Sequence, residues 1–216
     1  MENRKLREQI IGYKIAKRNL FFYTKYKNYA NLDDYLNKIA VFLELGGEGI
    51  ELDGEGTTDR EFLQAAKLTK QLCAQYDSTF MIKSRADIAL LSSADCINLN
   101  RDNLDILSVR EILGGDILIG FYINSLKALD LVKDGVDYIN YQILPTPTEP
   151  AKLTGLEYAK RVSEKISFPV VLIGDENIDY TTTQLNSTDR IAIDDAIYNY
   201  SSPNKVTVNL LSKLKK

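Results

Sequence analysis

Glu51 and Asp53 are the residues whose type and spacing first suggest chemistry in this 216-residue chain. They stand two apart in the run Gly49-Ile50-Glu51-Leu52-Asp53. Alternation along a strand turns both carboxylates to one face and Ile50 and Leu52 to the other. Such a pair can bind a cation, a divalent metal or an amine-bearing ligand. It can equally pair with basic residues from neighbouring elements (Lys83, Arg85 and Arg101 are the candidates) and solvate a mouth without binding anything. The chain contains no histidine, which removes the commonest general acid/base, every Ser-His or Cys-His nucleophile pair and the usual imidazole metal ligand. Catalysis here has to use carboxylates, lysine, tyrosine or a metal held by oxygen.

The elements that would carry these groups follow from hydrophobic periodicity. Leu6, Ile10, Ile11 and Ile15 have helical spacing and predict an N-terminal helical extension over residues 1–18 that covers one end of the domain. Short strands are expected at 20–23, 49–53, 79–82, 96–99, 117–123, 138–144, 169–173 and 190–193, with helices between them. The clearest helix, 58–76, follows Thr57-Thr58 and carries Phe62, Ala65, Ala66, Leu68, Leu72 and Cys73 on one side. Asp102 suits an N-cap for a helix beginning near Leu104, and Pro145 to Pro150 reads as a rigid loop. Eight strands alternating with helices predict parallel βα units. Their even spacing, with no glycine-rich loop after the first strand, favours a compact (β/α)8 TIM barrel over residues 19–216 rather than an open sheet. Functional groups then belong at the C-terminal ends of the strands.

Composition narrows the partners. A formal net charge of -3 gives no sign of nucleic-acid binding, and no apolar run is long enough to span a bilayer, so a cytoplasmic protein is expected, with a small-molecule ligand left open. Cys73 and Cys96, the only cysteines, lie outside any CxxC motif and read as buried free thiols.

Collinear segments over nearly the whole chain resemble the thiamine-phosphate synthase family, which includes the related TenI-like thiazole tautomerases. They include Phe22-Tyr23-Thr24, Gly49-Ile50-Glu51-Leu52, Ile82 to Leu90, Ala94 to Asp102, Ile119-Gly120, Gly135 to Ile139, Pro145-Thr146-Pro147-Thr148, Pro169-Val170-Val171 with Ile173-Gly174, and Ile191-Ala192-Ile193. The resemblance implies a (β/α)8 barrel that joins a pyrimidine pyrophosphate to a thiazole phosphate with magnesium. Measured against the family pattern, several strand ends are substituted. The Gln-x-Arg-x-Lys after strand two stands here as Glu51, Asp53 and Glu55, and the Asn-Asp-Arg after strand three as Lys83, Ser84 and Arg85. Asp102 keeps one magnesium position, while the His and Gln before it are Asn98 and Arg101. Tyr122 and Asn124 replace a Ser and a His on strand five. Thr146 and Thr148 survive after strand six, followed by Glu149 instead of Lys. The glycine pair after strand seven is Gly174-Asp175, and Asp195 takes the place of a small Ser at strand eight.

Exchanging Arg for Asp and Lys for Glu moves the local charge by about four units, and like charges at ~4 Å repel by roughly 4 kcal/mol near a protein surface. The sequence therefore predicts a diverged family member that has lost synthase activity and takes a less anionic ligand. The rival expectation is an active transferase with Lys83, Arg85 and Arg101 as a relocated anion clamp and magnesium on Asp102. A third, structural reading makes the barrel an assembly surface with the N-terminal helix as a docking element, leaving a homo-oligomer open.

Overall fold

The computed structural model describes residues 2–103, 105–132, 134–143, 163–174, 190–195 and 203–214. Eight strands pair in parallel and in sequence order, and the last closes on the first: β1 Leu20–Lys25, β2 Gly49–Asp53, β3 Thr79–Lys83, β4 Cys96–Leu99, β5 Leu118–Ile123, β6 Tyr138–Gln142, β7 Val170–Ile173 and β8 Ile191–Asp194. The fold is a (β/α)8 barrel, as the alternation of elements requires. Register fixes which side chains meet inside: Tyr23 lies opposite Glu51, Glu51 opposite Met81, Asn98 opposite Gly120, and Tyr122 opposite Asn140.

Strand alternation sorts the apolar residues into two cores. Outward-facing Phe22, Ile50, Leu52, Phe80, Ile82, Ile97 and Ile119 are fully buried under the helices α2 Leu32–Glu44 and α3 Asp59–Gln75 and their neighbours. Inward-facing Phe21, Met81, Cys96, Leu118, Val171 and Ala192 make a second cluster that fills the lower barrel. Helix starts obey ordinary capping chemistry. Thr58 and Glu61 form a reciprocal capping box on α3, and Asn31 accepts from Asp34 N at α2. Helix α5, Ile106–Leu113, begins later than the sequence suggests and is capped by Asp105, not Asp102. The helical segment after β5, Leu126–Leu131, is a 3-10 helix. The expected loop 145–150 and the expected helices 155–166 (apart from its last few residues) and 177–185 lie outside the described residues.

The N-terminal segment is a plug. An α-helix, Glu2–Ile11, runs into a π-helical turn, Gly12–Ala16, which drives Ile15 fully into the inner cluster with Ile10 and Ile11 packed beside it. Leu6, expected on the same apolar face, stays 55% exposed. Three carboxylates fasten this end by one repeated device: the acid just before a strand accepts the opening backbone N–H of the strand before it. Glu48 takes Asn19 N at 2.6 Å, Asp95 takes Phe80 N at 2.9 Å, and Asp137 takes Ile119 N at 2.7 Å. Asp95 is also held by Lys14 and Lys70, and Asp137 by Arg7 and Arg110. Charge-assisted bonds of this kind are about twice as strong as neutral ones, and here they tie the plug to the strand starts. Cys73 and Cys96 are buried free thiols.

Candidate functional site

At the opposite end, where the strands finish, the barrel opens into a cavity of about 540 Å³. Its floor is made by Tyr23 from β1, Glu51 and Asp53 from β2, Lys83 from β3 and Tyr122 from β5. Its wall is made by Lys25, Lys27, Gln142, Asp194 and Asp195. Tyr23, Glu51, Asp53, Lys83 and Tyr122 each fall on the inward-facing side of the pleat, in step with Phe21, Gly49, Met81 and Leu118 on their own strands, so strand periodicity aims these side chains at one another.

Glu51 is the hub. It is 2% exposed. Tyr122 hydroxyl donates to its two oxygens at 2.8 Å and 2.6 Å, and Asn98 Nδ2 donates to Oε2 at 2.5 Å. Behind Asn98 the donors line up in one direction. Tyr23 hydroxyl donates to Asn140 Oδ1 at 2.6 Å, Asn140 Nδ2 to Asn98 Oδ1 at 2.8 Å, and Tyr138 hydroxyl to the same oxygen at 2.5 Å. Gly120 makes room for this packing. A Cβ there would stand 2.3 Å from Asn98 Oδ1 and 2.4 Å from the Tyr138 ring. Every donor in the network leads to one carboxylate.

Asp53 is paired differently. Lys83 Nζ lies 2.9 Å from its Oδ2 and 5.8 Å from the centre of the Tyr122 ring, and Glu55 N donates to its Oδ1 at 2.9 Å. Burial pushes the Glu51 carboxyl pKa up. The nearby Lys83 charge and the bonds from Tyr122 and Asn98 act against that rise, and Asp53 adds to it. Burial also works against the Lys83 charge, but Glu51 and Asp53 outweigh it and its pKa is raised. Lys83 is therefore an ammonium at neutral pH and no nucleophile. Burial, then the Glu51 charge, raises Tyr122 well above an ordinary phenol, so it acts as a hydroxyl donor.

The other candidates disperse. Arg85 turns away from the cavity to Asp59 at 2.7 Å and Asp87 at 2.6 Å. Arg101 and Asp102 are 77% and 79% exposed, 3.5 Å apart, and line a separate, neighbouring cavity of about 270 Å³ with Asn124. Among the described residues, only Tyr122 and Gln142 border both cavities. Lys83, Arg85 and Arg101 do not converge on one point. Asp195 lines the wall but is occupied: it accepts from Lys25 N at 2.6 Å, from Asn28 Nδ2 at 2.9 Å and from the Tyr29 hydroxyl. It pins the loop after β1, and burial raises its pKa. Gly174 is buried and its N–H is taken by Ala192 O at 3.1 Å. Thr146, Thr148 and Asp175 lie outside the described residues.

Magnesium is a poor fit to the described groups. Asp102 offers one exposed carboxylate with a guanidinium beside it, and no three His, Cys, Asp or Glu side chains converge among the described residues. Among those residues, too, no helix is long and apolar enough to cross a membrane.

Sequence reasoning missed Tyr23, Tyr138 and Asn140 as site-forming residues. Period-two parity carried the signal: Tyr138, Asn140 and Gln142 share the inward face of β6, and Tyr23 shares that of β1 with Phe21.

Comparison with known proteins agrees with this architecture. The family profile described as thiamine monophosphate synthase matches residues 22–197. A thiamine-phosphate synthase of Pyrococcus furiosus is 33% identical over 172 residues, covering 78% of this chain and 83% of the relative. One from Prochlorococcus marinus (strain MED4) is 31% identical over 205 residues, 93% of this chain, although the chain spans only 57% of that relative's length. Among solved structures, thiamine phosphate pyrophosphorylase from Pyrococcus furiosus superposes with a TM-score of 0.75 at 26% identity, covering 93% of this chain and 96% of that one. The 3-hexulose-6-phosphate synthase of Salmonella typhimurium, at 13% identity and a TM-score of 0.60, shares the fold alone. This chain belongs to the thiamine monophosphate synthase family.

Proposed function

We propose that this barrel is a diverged member of its family that no longer joins a pyrimidine pyrophosphate to a thiazole phosphate, and that its mouth takes a less anionic small molecule. The observation that carries this reading is the balance on the cavity floor. Two carboxylates, Glu51 and Asp53, face one ammonium, Lys83, and that ammonium is already engaged by Asp53 at 2.9 Å. A pyrophosphate entering there meets a buried carboxylate and a neutralised cation. Like charges a few ångströms apart cost roughly 4 kcal/mol near a surface and more where water is excluded. Lys25 does not restore the deficit, because Glu55 lies 3.5 Å from it. The arginines that could have formed a clamp are held elsewhere, Arg85 by Asp59 and Asp87 and Arg101 beside Asp102.

What the floor can do is accept hydrogen bonds and stabilise positive charge. Tyr122 and Asn98 hold Glu51 in place as an acceptor. The direct test incubates the purified protein with both thiamine precursors and magnesium. No thiamine phosphate above background is expected, and product at ordinary enzyme rates would end the reading. The chain has no histidine that could carry histidine-dependent tautomerase chemistry, which supports the same reading.

A further inference from the structure

Both bonds that position Glu51 from behind are directed mainly at one oxygen. Asn98 Nδ2 and the shorter arm of the Tyr122 hydroxyl meet at Oε2, at 2.5 Å and 2.6 Å. Among the described residues, Oε1 receives only the longer arm of the same Tyr122 hydroxyl, at 2.8 Å. A carboxylate oxygen has two acceptor positions, so Oε1 keeps accepting capacity, and Glu51 is one of the residues that line the cavity. The charge is also unmatched at contact distance. Asp53 has Lys83 as its ion-pair partner, whereas Glu51 makes no ion pair among the described residues. The Lys83 charge acts on Glu51 without an ion-pair contact, so among the described residues no cation touches this buried carboxylate.

We propose that Glu51 Oε1 is the ligand-reading atom of this cavity, and that the ligand presents to it a protonated nitrogen with N–H donors, of the amidinium or protonated-amine class. The inference rests on the reading of the mouth as one that excludes polyphosphate, and it names what is accepted instead. Oε2, locked by Asn98 and Tyr122, fixes the plane of the carboxylate. Oε1 then reads the incoming donor. The directional chain Tyr23 to Asn140 to Asn98 to Glu51 keeps Asn98 Nδ2 facing the carboxylate, because Asn98 Oδ1 is already occupied by Tyr138 and Asn140. Lys83 spends its ion-pair contact on Asp53 and makes none with Glu51.

Benzamidinium and its neutral near-isostere benzamide are the probes, titrated by calorimetry into the full chain at neutral pH. Glu51→Gln is the informative variant. With its carbonyl in the Oε2 position it keeps both supporting bonds, but it replaces the Oε1 acceptor by an NH2 donor. Saturable benzamidinium binding, with benzamide weaker by more than about tenfold, is expected, and so is a similar loss for benzamidinium on the Glu51→Gln protein. Equal binding of the two probes by the unsubstituted protein overturns the inference, as does no saturable benzamidinium binding. An unchanged affinity in a Glu51→Gln protein that melts normally overturns it as well. The probe comparison needs no variant and stands even where the substitution fails to fold. Inorganic pyrophosphate titrated in parallel separates the two levels: saturable binding there overturns the reading of the mouth, however benzamidinium behaves.

Discussion

Gly120→Ala is the perturbation that most fully exposes the logic of the interior. An alanine Cβ would sit 2.3 Å from Asn98 Oδ1 and 2.4 Å from the Tyr138 ring, far inside contact distance, and both neighbours are fully buried. Forcing a methyl group into a packed interior costs about 1–3 kcal/mol. The least costly escape rotates Asn98, which breaks the bonds it accepts from Tyr138 and Asn140 and the one it donates to Glu51, each worth about 1 kcal/mol. Reduced chain entropy in the unfolded state returns roughly 0.4–1 kcal/mol. By that route the balance is a loss of about 2–3 kcal/mol. For a chain of this size, that lowers the melting temperature by about 4–12 °C. Urea denaturation followed by circular dichroism reads the free energy. Combining the substitution with Asn98→Ala should relieve the clash, so the double variant loses less than the sum of the two singles. An alanine variant as stable as the parent, or strict additivity with Asn98→Ala, would refute the proposed packing.

Other outcomes follow from the same geometry. Lys83→Met leaves Asp53 buried without its cation, and about 1–3 kcal/mol of stability should be lost; the lysine side chain keeps 28% exposure, so the cost stays below that of breaking a fully buried pair. Equal stability on thermal denaturation would contradict that pairing. Glu51 has a raised carboxyl pKa, so the folded protein holds that proton to higher pH than the unfolded chain. Its contribution to stability is present in full below the unfolded value and is lost as pH rises through the folded one. Glu51→Gln should therefore gain stability relative to the parent as pH climbs from about 4.5 towards neutral, and a difference independent of pH would count against the burial of this carboxylate. Asp195→Ala frees Lys25 N and Asn28, so the loop after β1 should exchange amide hydrogen markedly faster while the bottom of the barrel does not change. Deleting residues 1–18 uncovers the inner cluster that Ile15 seals, and the truncated chain should unfold or aggregate; a stable truncated barrel would make the segment a separable extension.

The barrel was legible because parallel strands buried on both sides read as short apolar runs between helix signals. Thr57-Thr58 marked the start of the clearest helix, and the backbone obeys it with Thr58 as the N-cap of α3. Where positions depended on tertiary context, sequence reasoning was less sure. Asp102 looked like a helix cap, but Asp105 sits closer to the first turn and accepts from Leu107 N. Leu6 fitted a helical stripe, but the π-helical turn at Gly12–Ala16 lets the burial begin four residues later, at Ile10. At the mouth, residue type identified Glu51, Asp53 and Lys83, and the cavity gathers all three. Charge alone could not foresee that Arg85 would turn to Asp59 and Asp87, which lie outside its strand. Nor could it show that Asp195 is consumed by the loop after β1. Those choices depend on which partners the fold brings within a few ångströms, and local sequence does not encode that.

The central claim is that this mouth has exchanged its grip on pyrophosphate for an acceptor floor built around Glu51. Calorimetric titration of inorganic pyrophosphate with magnesium, at physiological salt, tests it most directly. The account predicts no saturable binding up to about millimolar ligand, and saturable binding below that concentration would contradict it.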